Sequence, residues 1–572
     1  MQYTDLLDNP DWFQSFDNTV TPVTSYVYGQ RTTVNSDNPR FPRVFANDNP
    51  FGAGYCLQGN NNFPESEYVI SYSSGNPQPT SANYYDGSTI EFWVKLDSTF
   101  NGLDILQWKQ FNGSAELTIG ITNTRNPFFA GKYWVSNGNL DGVTTGATGP
   151  VLTPDEWHLI TYTTKRTTKY TDATTIQYSL LDTLYVDGIE AARRTTTSQS
   201  TLPTTYQNQF NHAIANGLEY GTTNTGEGMF SNYLPNTIKI SNFAFWQNQA
   251  QSQKKIARRY MFNKTKKTVK QHTIDSNPYW YQTWDTYDTN TQTFTDQYGS
   301  GPFWGITYNS TGADITVAGQ EKRSISTVGK TAQESLLFSS NYGANIDTLA
   351  ATGNWSVDFW VKWDYTKQQI VSAFSGGVKP QSIWFSGAGV ASFNIRINTA
   401  QNIEFSDRFN NNSTSTFHSQ VVPNFVIIDQ LTDGDWHHIA KTFSYSAGTL
   451  VIRGYFDGVK VAQGTYSVTT PNNPSYPWTG PNFFPGWPYA PGSTATRTNG
   501  YYDNYAIYDR TLTDTEIADK YRNFAAVTYA VNHYNGQTWE TTSTQKVWDG
   551  NDWILWSNAS PTQWDGTSWV AI

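Results

Sequence analysis

The chain is written twice, and that constrains its fold more than any other feature of the sequence. Asn9-Pro10-Asp11-Trp12 returns as Asn277-Pro278-Tyr279-Trp280, and Ile90-Glu91-Phe92-Trp93-Val94-Lys95 as Val357-Asp358-Phe359-Trp360-Val361-Lys362. Glu156-Trp157-His158 returns as Asp435-Trp436-His437, and Val186-Asp187-Gly188 as Phe456-Asp457-Gly458. Asn242-Phe243-Ala244-Phe245 returns as Asn504-Tyr505-Ala506-Ile507. The order is kept while the offset drifts between 262 and 279 residues, the mark of a duplicated domain with loop insertions. The first copy is placed at 1–265, a linker and the second copy at 266–525, and a dissimilar tail at 526–572.

The matched segments say what the unit is. Ile90, Phe92, Val94 and Leu96 share one face of a period-two pattern, and Glu91, Trp93 and Lys95 share the other. The second copy alternates alike, with Val357, Phe359, Val361 and Trp363 against Ser356, Asp358, Trp360 and Lys362. Period two predicts a β-strand, here with one buried face. Asp187-Gly188 and Asp457-Gly458 sit between apolar strands and predict hairpin turns. Each copy ends in one short helix. Ile256, Ala257 and Tyr260 mark the first; Thr513-Asp514-Thr515-Glu516 is a capping box ahead of Ile517, Ala518 and Tyr521 in the second. A unit of this size built almost wholly of strands predicts an all-β, two-sheet sandwich.

Composition agrees and excludes alternatives. Aromatics are 16 % of the 572 residues and charged residues 15 %, against a usual charged share of ~25 %. A disordered chain lacks this aromatic load, and a coiled coil needs far more charge. The net charge of −10 argues against a nucleic-acid binder. One cysteine, Cys56, permits no intrachain disulfide. No apolar run approaches the ~18 residues of a membrane span, so no membrane insertion is expected. Residues 1–12 are acidic and carry no secretory h-region.

The Phe92-Trp93-Val94-Lys95 strand, the acid-Trp-His strand start, the Val186-Asp187-Gly188 hairpin, Asn242-Phe243-Ala244-Phe245 and a short helix ending in Tyr come in a fixed order. As a set they resemble the laminin-G-like, concanavalin-A-like jelly-roll domain. The resemblance covers both copies and implies two jelly rolls in tandem. It implies no particular activity, because the fold hosts lectins, adhesion modules and glycosidases alike.

The tail carries a different repeat, aromatic-[Asn/Asp]-Gly-x-x-Trp, at Tyr534–Trp539, Trp548–Trp553 and Trp564–Trp569. Each predicts a tight hairpin bracketed by aromatics. These repeats resemble those that end many bacteriophage virion proteins. The tail reads either as a small aromatic-stapled sheet or as a docking or sugar-binding module, with docking, through Trp539, Trp548, Trp553, Trp564 and Trp569, the favoured use. Two further features bear on function. Residues 471–492 place Tyr476, Trp478, Phe483, Phe484, Trp487 and Tyr489 among seven prolines. That insertion is either a glycan- or partner-binding loop or a loop folded over its own sheet. Eight cations and no acid lie between Lys254 and Lys270. They read as the solvated face of the first helix and the linker, or as a docking strip centred on Lys264, Lys266 and Lys267.

Catalytic patterns are scarce. The Glu-x-Asp-x-x-Glu string of many concanavalin-like glycosidases is missing, and Glu65-Ser66-Glu67 lies in a polar, proline-containing stretch that reads as loop. His158 and His437 each follow a Trp at equivalent strand starts, which favours a structural role. One Cys and scattered His give no zinc spacing. Laminin-G-like domains sometimes hold Ca²⁺, and Asp285, Asp288, Asn290 and Asp296 form an acid-and-amide cluster. It lacks the Gly of an EF-hand loop and reads as a solvated turn, so no cofactor is expected.

The expected function is a non-enzymatic structural and adhesive bacteriophage virion protein: a capsid decoration, head fibre or tail fibre. Its expected partners are other virion proteins, a host cell-surface glycan and, by the family resemblance, further copies of itself. The alternatives are an extracellular bacterial glycan-binding protein or glycoside hydrolase, and a scaffold without ligand.

Overall fold

The computed structural model divides the chain into two units, Met1–Lys264 and Thr265–Ile572. It describes chiefly residues 44–51, 87–101, 116–135, 147–170, 176–195, 237–246 and 249–262 of the first unit. In the second it describes chiefly 269–284, 352–364, 432–467 and 500–527, with scattered short strands and single residues elsewhere in both.

Two large antiparallel sheets build the first unit among the described residues, beside a two-stranded pairing of Thr32–Thr33 with Ser71–Tyr72. The larger runs, edge to edge, Ile189–Thr195, Ile176–Val186, Trp157–Tyr170, Gly87–Leu96, Ile238–Trp246, Cys56–Gln58 and Val44–Ala46, with Trp12–Gln14 also paired to Ile238–Trp246. The smaller runs Asn139–Asp141, Pro127–Val135, Glu116–Ile121 and Leu103–Lys109. Phe129 of the smaller sheet rests on Tyr162 of the larger, ring centroids 5.2 Å apart, and Arg194 lies over the Phe129 ring at 5.3 Å. The sheets therefore stack as a sandwich, with Ile90, Phe92 and Val94 fully buried on the inner face.

The second unit repeats this order. Val459–Ser467, Thr449–Phe456, His437–Ser446, Trp355–Trp363 and Gly500–Tyr508 follow one another, and Trp280–Gln282 joins Gly500–Tyr508 as Trp12–Gln14 joins Ile238–Trp246. Its facing sheet runs Thr414–Val421, Ile403–Asn411, Ser392–Ile397, Gln381–Ser386 and Asn482–Phe483. These layers touch at Gly454, where an added Cβ would stand 2.4 Å from the ring of buried Phe405. The all-β sandwich read from the alternating strands, with the jelly roll that the family resemblance implied, is the class observed.

Three sequence marks, two of them recurring in both copies, acquire local causes. Asp187 and Gly188 have φ of 54° and 80°, and Asp457 and Gly458 have 50° and 81°. These are the paired left-handed residues of a two-residue hairpin, as Asp-Gly predicts. The recurring Asn is a bulge residue: Asn242 and Asn504 adopt φ of 49° and 50° where the ladder to the central strand skips register. Asn tolerates that conformation better than other residues with a side chain, apart from Asp. The capping box forms as written, Glu516 N–H donating to Thr513 Oγ1 at 3.2 Å and Thr513 N–H to Glu516 Oε2 at 2.9 Å.

The central strands depart from expectation in one respect: both faces are buried. Glu91 and Trp93 are as enclosed as Phe92, and Asp358 and Trp360 as enclosed as Phe359. The helices are the reason. Helix α1, Gln253–Tyr260, lays Tyr260 on Trp93 (5.9 Å, 18°). A short helix not anticipated from sequence, α2, spans Val269–Asp275. Helix α3, Asp514–Val527, lays Tyr521 on Trp360 (6.1 Å, 15°). Among the described residues no helix is long and apolar enough to cross a membrane.

In the tail, three two-stranded ribbons pair Tyr534 with Trp539, Trp548 with Trp553 and Trp564 with Trp569. Those are the aromatic brackets of the repeat; the turns between them lie outside the described residues.

Gly454→Ala is expected to force Phe405 out of its seat and destabilise the second unit by about 1–3 kcal/mol. Chemical denaturation of the full chain, followed by tryptophan fluorescence, measures it.

Candidate functional site

Chemistry-bearing side chains gather first where each helix meets its sheet. Glu91 points from the central strand towards α1 and takes a forked ion pair from Arg259, Nε to Oε1 at 2.6 Å and Nη2 to Oε2 at 2.8 Å. Thr161 Oγ1 also donates to Glu91 Oε2 at 2.8 Å, and the guanidinium lies 4.9 Å from the Trp246 ring. Both charged side chains are wholly enclosed. The second unit makes the same join with different residues. Lys520 Nζ lies 2.5 Å from Asp358 Oδ2, donates to the Tyr508 hydroxyl and sits over the Tyr508 ring. Burial pushes the Lys520 ammonium down from its ordinary range, and the Asp358 carboxylate opposes that. Burial likewise works to raise Asp358, but Lys520 holds its carboxyl below the ordinary value. These pairs are closed by packing and fasten helix to sheet.

The repeated Trp-His strand starts form a second constellation. His158 Nδ1 lies 2.8 Å from Asp187 Oδ2 and its Nε2 3.1 Å from the Thr153 carbonyl. His437 Nδ1 lies 2.9 Å from Asp457 Oδ2 and its Nε2 3.2 Å from Asp433 Oδ1. Every partner is an acceptor, so each ring donates from both nitrogens as an imidazolium. The second oxygen of each Asp accepts a backbone N–H, from Leu159 and His438, at 2.9 Å. The Asp of each Asp-Gly turn is thereby locked to the strand beside it. A ring with both nitrogens occupied has none left to take a proton from a substrate. Burial would lower His437, but Asp457 and Asp433 override it and hold its value up at about 10; the same balance, with Asp187, raises His158. Trp157 is fixed too, its Nε1 donating to Asp48 Oδ1 at 3.0 Å. Asp48 also binds Lys239 at 2.6 Å and Lys95 at 3.1 Å. Its burial works against ionisation, but those three donors win and hold it at about 2.

The residues singled out from sequence fall as follows. Phe483 lies in the strand Asn482–Phe483, which joins the edge of the five-stranded sheet by pairing with Phe385. Tyr476, Trp478, Phe484, Trp487 and Tyr489 lie outside the described residues. Trp539, Trp548, Trp553, Trp564 and Trp569 are placed by backbone pairing alone. Lys264 is exposed, with its ammonium 4.3 Å from the Tyr260 ring. Lys267 is exposed and pairs with Asp275 at 2.6 Å. Lys266 lies outside the described residues. Arg259, counted in the basic strip as solvated, is instead fully buried on Glu91. Asp285, Asn290 and Asp296 of the acid-and-amide cluster, and Glu65 and Glu67, lie outside the described residues. Among the described residues no three His, Cys, Asp or Glu side chains gather to hold a metal. The ion-pair joins were missed, yet they left a signal. Arg259-Tyr260 and Lys520-Tyr521 are the same cation-Tyr pair at the end of each copy, opposite an acid that recurs beside Trp93 and Trp360.

Comparison with known proteins places the second unit. Residues 338–518 match the family model of the concanavalin A-like lectin/glucanases superfamily, of the laminin-G type. That match is a likeness of this stretch to the superfamily. It covers about a third of the chain. Among solved structures, the binding domain of Paraclostridial Mosquitocidal Protein 1 is 14 % identical with a TM-score of 0.31, over 43 % of this chain and 52 % of that one. The chain thus spans about half of that domain's length. A Ruminococcus gnavus IT-sialidase CBM40 bound to α2,3-sialyllactose is 12 % identical at a TM-score of 0.25, over 34 % of this chain and 95 % of its own. Mouse laminin α1 domains LG4-5 are 10 % identical at 0.18, over 79 % and 90 %. None of these likenesses carries a function to this chain. No curated protein sequence matches it.

Two outcomes are expected. Arg259→Ala strands Glu91 in the core and should cost about 3–5 kcal/mol, whereas the double variant Glu91→Leu/Arg259→Met should recover most of it, by equilibrium denaturation. For His437 the folded value of about 10 lies above an unfolded one near 6.5. Its contribution is therefore full below about pH 6.5 and is lost as the pH rises towards 10. Denaturation midpoints should fall over that window, and the fall should shrink in His437→Gln.

Proposed function

We propose that the chain is a non-catalytic adhesive protein of a bacteriophage virion, a capsid decoration, head fibre or tail fibre. It binds glycan through the aromatic insertion of its second unit and neighbouring virion proteins through its tail. One observation carries the glycan reading. The insertion 471–492, with six aromatics among seven prolines, lies inside the stretch matching the lectin/glucanase superfamily and is pinned to the sheet edge by the Phe385–Phe483 pairing. Aromatic faces stack on the C–H faces of sugars, and proline restricts the backbone so that less freedom is lost on binding. The virion reading rests on the repeats at Tyr534–Trp539, Trp548–Trp553 and Trp564–Trp569, which resemble those ending phage virion proteins.

Trp487→Ala is expected to weaken retention on the bound glycan at least ~10-fold, about 1.4 kcal/mol, with the melting temperature unchanged. A fall in stability alone would mean that the insertion covers its own sheet. Mass spectrometry of purified virions tests the location. The superfamily's name includes glucanases, which supports a second reading as an extracellular glycoside hydrolase. Release of reducing ends from a polysaccharide panel, abolished by removing one carboxylate, would establish that reading instead.

A further inference from the structure

One arginine of the first unit stands out by conformation and by what it leaves unpaired. Arg125 lies in the hairpin loop between Glu116–Ile121 and Pro127–Val135, with φ of 62°. That left-handed conformation favours Gly or Asn, and a long side chain held there carries strain that marks functional positions. The loop is rigid. Thr122 N–H donates to the Asn126 carbonyl and Arg125 N–H to the Thr122 carbonyl, each at 2.9 Å. Thr124 Oγ1 donates to Asn126 Oδ1 at 2.7 Å, and Asn126 Nδ2 to the Gly149 carbonyl at 2.9 Å.

Two neighbouring loops close on it. Leu152 N–H donates to the Arg125 carbonyl at 2.9 Å, which brings exposed Val151 beside it. Arg125 Nη1 donates to the Ser98 carbonyl at 3.3 Å. That is the one hydrogen bond of the Arg125 side chain among the described residues. Its Nε is buried without an acceptor, and among the described residues no carboxylate pairs with it. The nearest candidate in sequence to Ser98, Asp97, is turned onto Thr99, whose N–H and hydroxyl donate to it at 2.6 and 2.7 Å. Val151 is 58 % exposed and is the large hydrophobic that the described residues leave most open.

We propose that Arg125, Ser98 and Val151 form a saccharide site on the first unit that takes the carboxylate of a uronic-acid-type sugar on the guanidinium and the sugar's apolar face on Val151. The planar fork matches a carboxylate, and three Nη donors remain for it. Exposed Asn123 and Thr124 border the loop and suit hydroxyl groups. Exposed Asp97, Asp155 and Glu156 on the same three loops repel a dense polyanion, so the ligand carries isolated carboxylates rather than clustered sulfates. This site is separate from the aromatic insertion and does not rest on it.

The test is calorimetry of the full chain with the methyl glycosides of galacturonic acid and mannuronic acid, which carry one carboxylate each, and with the methyl ester of each. At least one acid form is expected to bind, and its ester at least tenfold more weakly. Arg125→Gly should lose at least tenfold in affinity while its melting temperature holds or rises, because Gly relieves the strained conformation. Val151→Ser should lose severalfold, and Trp487→Ala should leave this binding intact. No binding of either acid, equal binding of acid and ester, or full affinity in Arg125→Gly would overturn the proposal. Loss in Trp487→Ala alone would move the binding to the second unit.

Discussion

An enclosed carboxylate on the central strand, paired to a cation on the closing helix, is the constraint around which each unit is organised. A sheet strand with an acid on its outer face ordinarily faces water. Here Glu91 and Asp358 are enclosed because Arg259 and Lys520 reach them from α1 and α3. An ion removed from water is tolerable only when its partner and remaining hydrogen bonds are all in place. The pair therefore fixes where the helix lies, and the helix in turn brings Tyr260 onto Trp93 and Tyr521 onto Trp360. Hydrophobic contact supplies the area between the layers, while the ion pair selects one helix position among many similar ones.

The histidine locks act on the same sheets. Each ties the tip of an Asp-Gly hairpin to the start of the neighbouring strand through one carboxylate that serves a ring nitrogen and a backbone N–H. Gly188 is needed twice over. Its φ is 80°, and a Cβ there would stand 2.4 Å from Ala257 of α1. Turn, strand start and helix are thus joined in a single packing unit. Loops carried on such a frame can hold strained residues such as Arg125, whose φ of 62° the loop's own hydrogen bonds maintain.

What could be read beforehand follows the range of the interactions. Period-two strands, Asp-Gly turns and the Thr513–Glu516 capping box are set by residues a few positions apart, and they formed as expected. The cross-strand register of Tyr534 with Trp539 was legible for the same reason. Burial of Glu91 and Arg259 was not, because their contact spans 168 residues and charge alone argues for exposure. Arg125 was invisible for a related reason. What surrounds its side chain depends on loops brought together from residues 98 and 152. Pattern can propose that 471–492 projects aromatics, and the pairing of Phe483 with Phe385 ties one point of that segment to a sheet edge.

The two joins are alike in place but unlike in length. Glu91 meets a broad guanidinium fork; Asp358, one methylene shorter, meets the compact ammonium of Lys520. Tandem copies of one fold risk docking the helix of one copy on the sheet of the other while the chain is still folding. Exchanged helices would set an ammonium against a carboxylate shaped for a fork, and a fork against an acid seated for a single nitrogen. The unequal pairs therefore act as keys. They let two units that repeat one strand order fold within one chain, each recognising its own final piece.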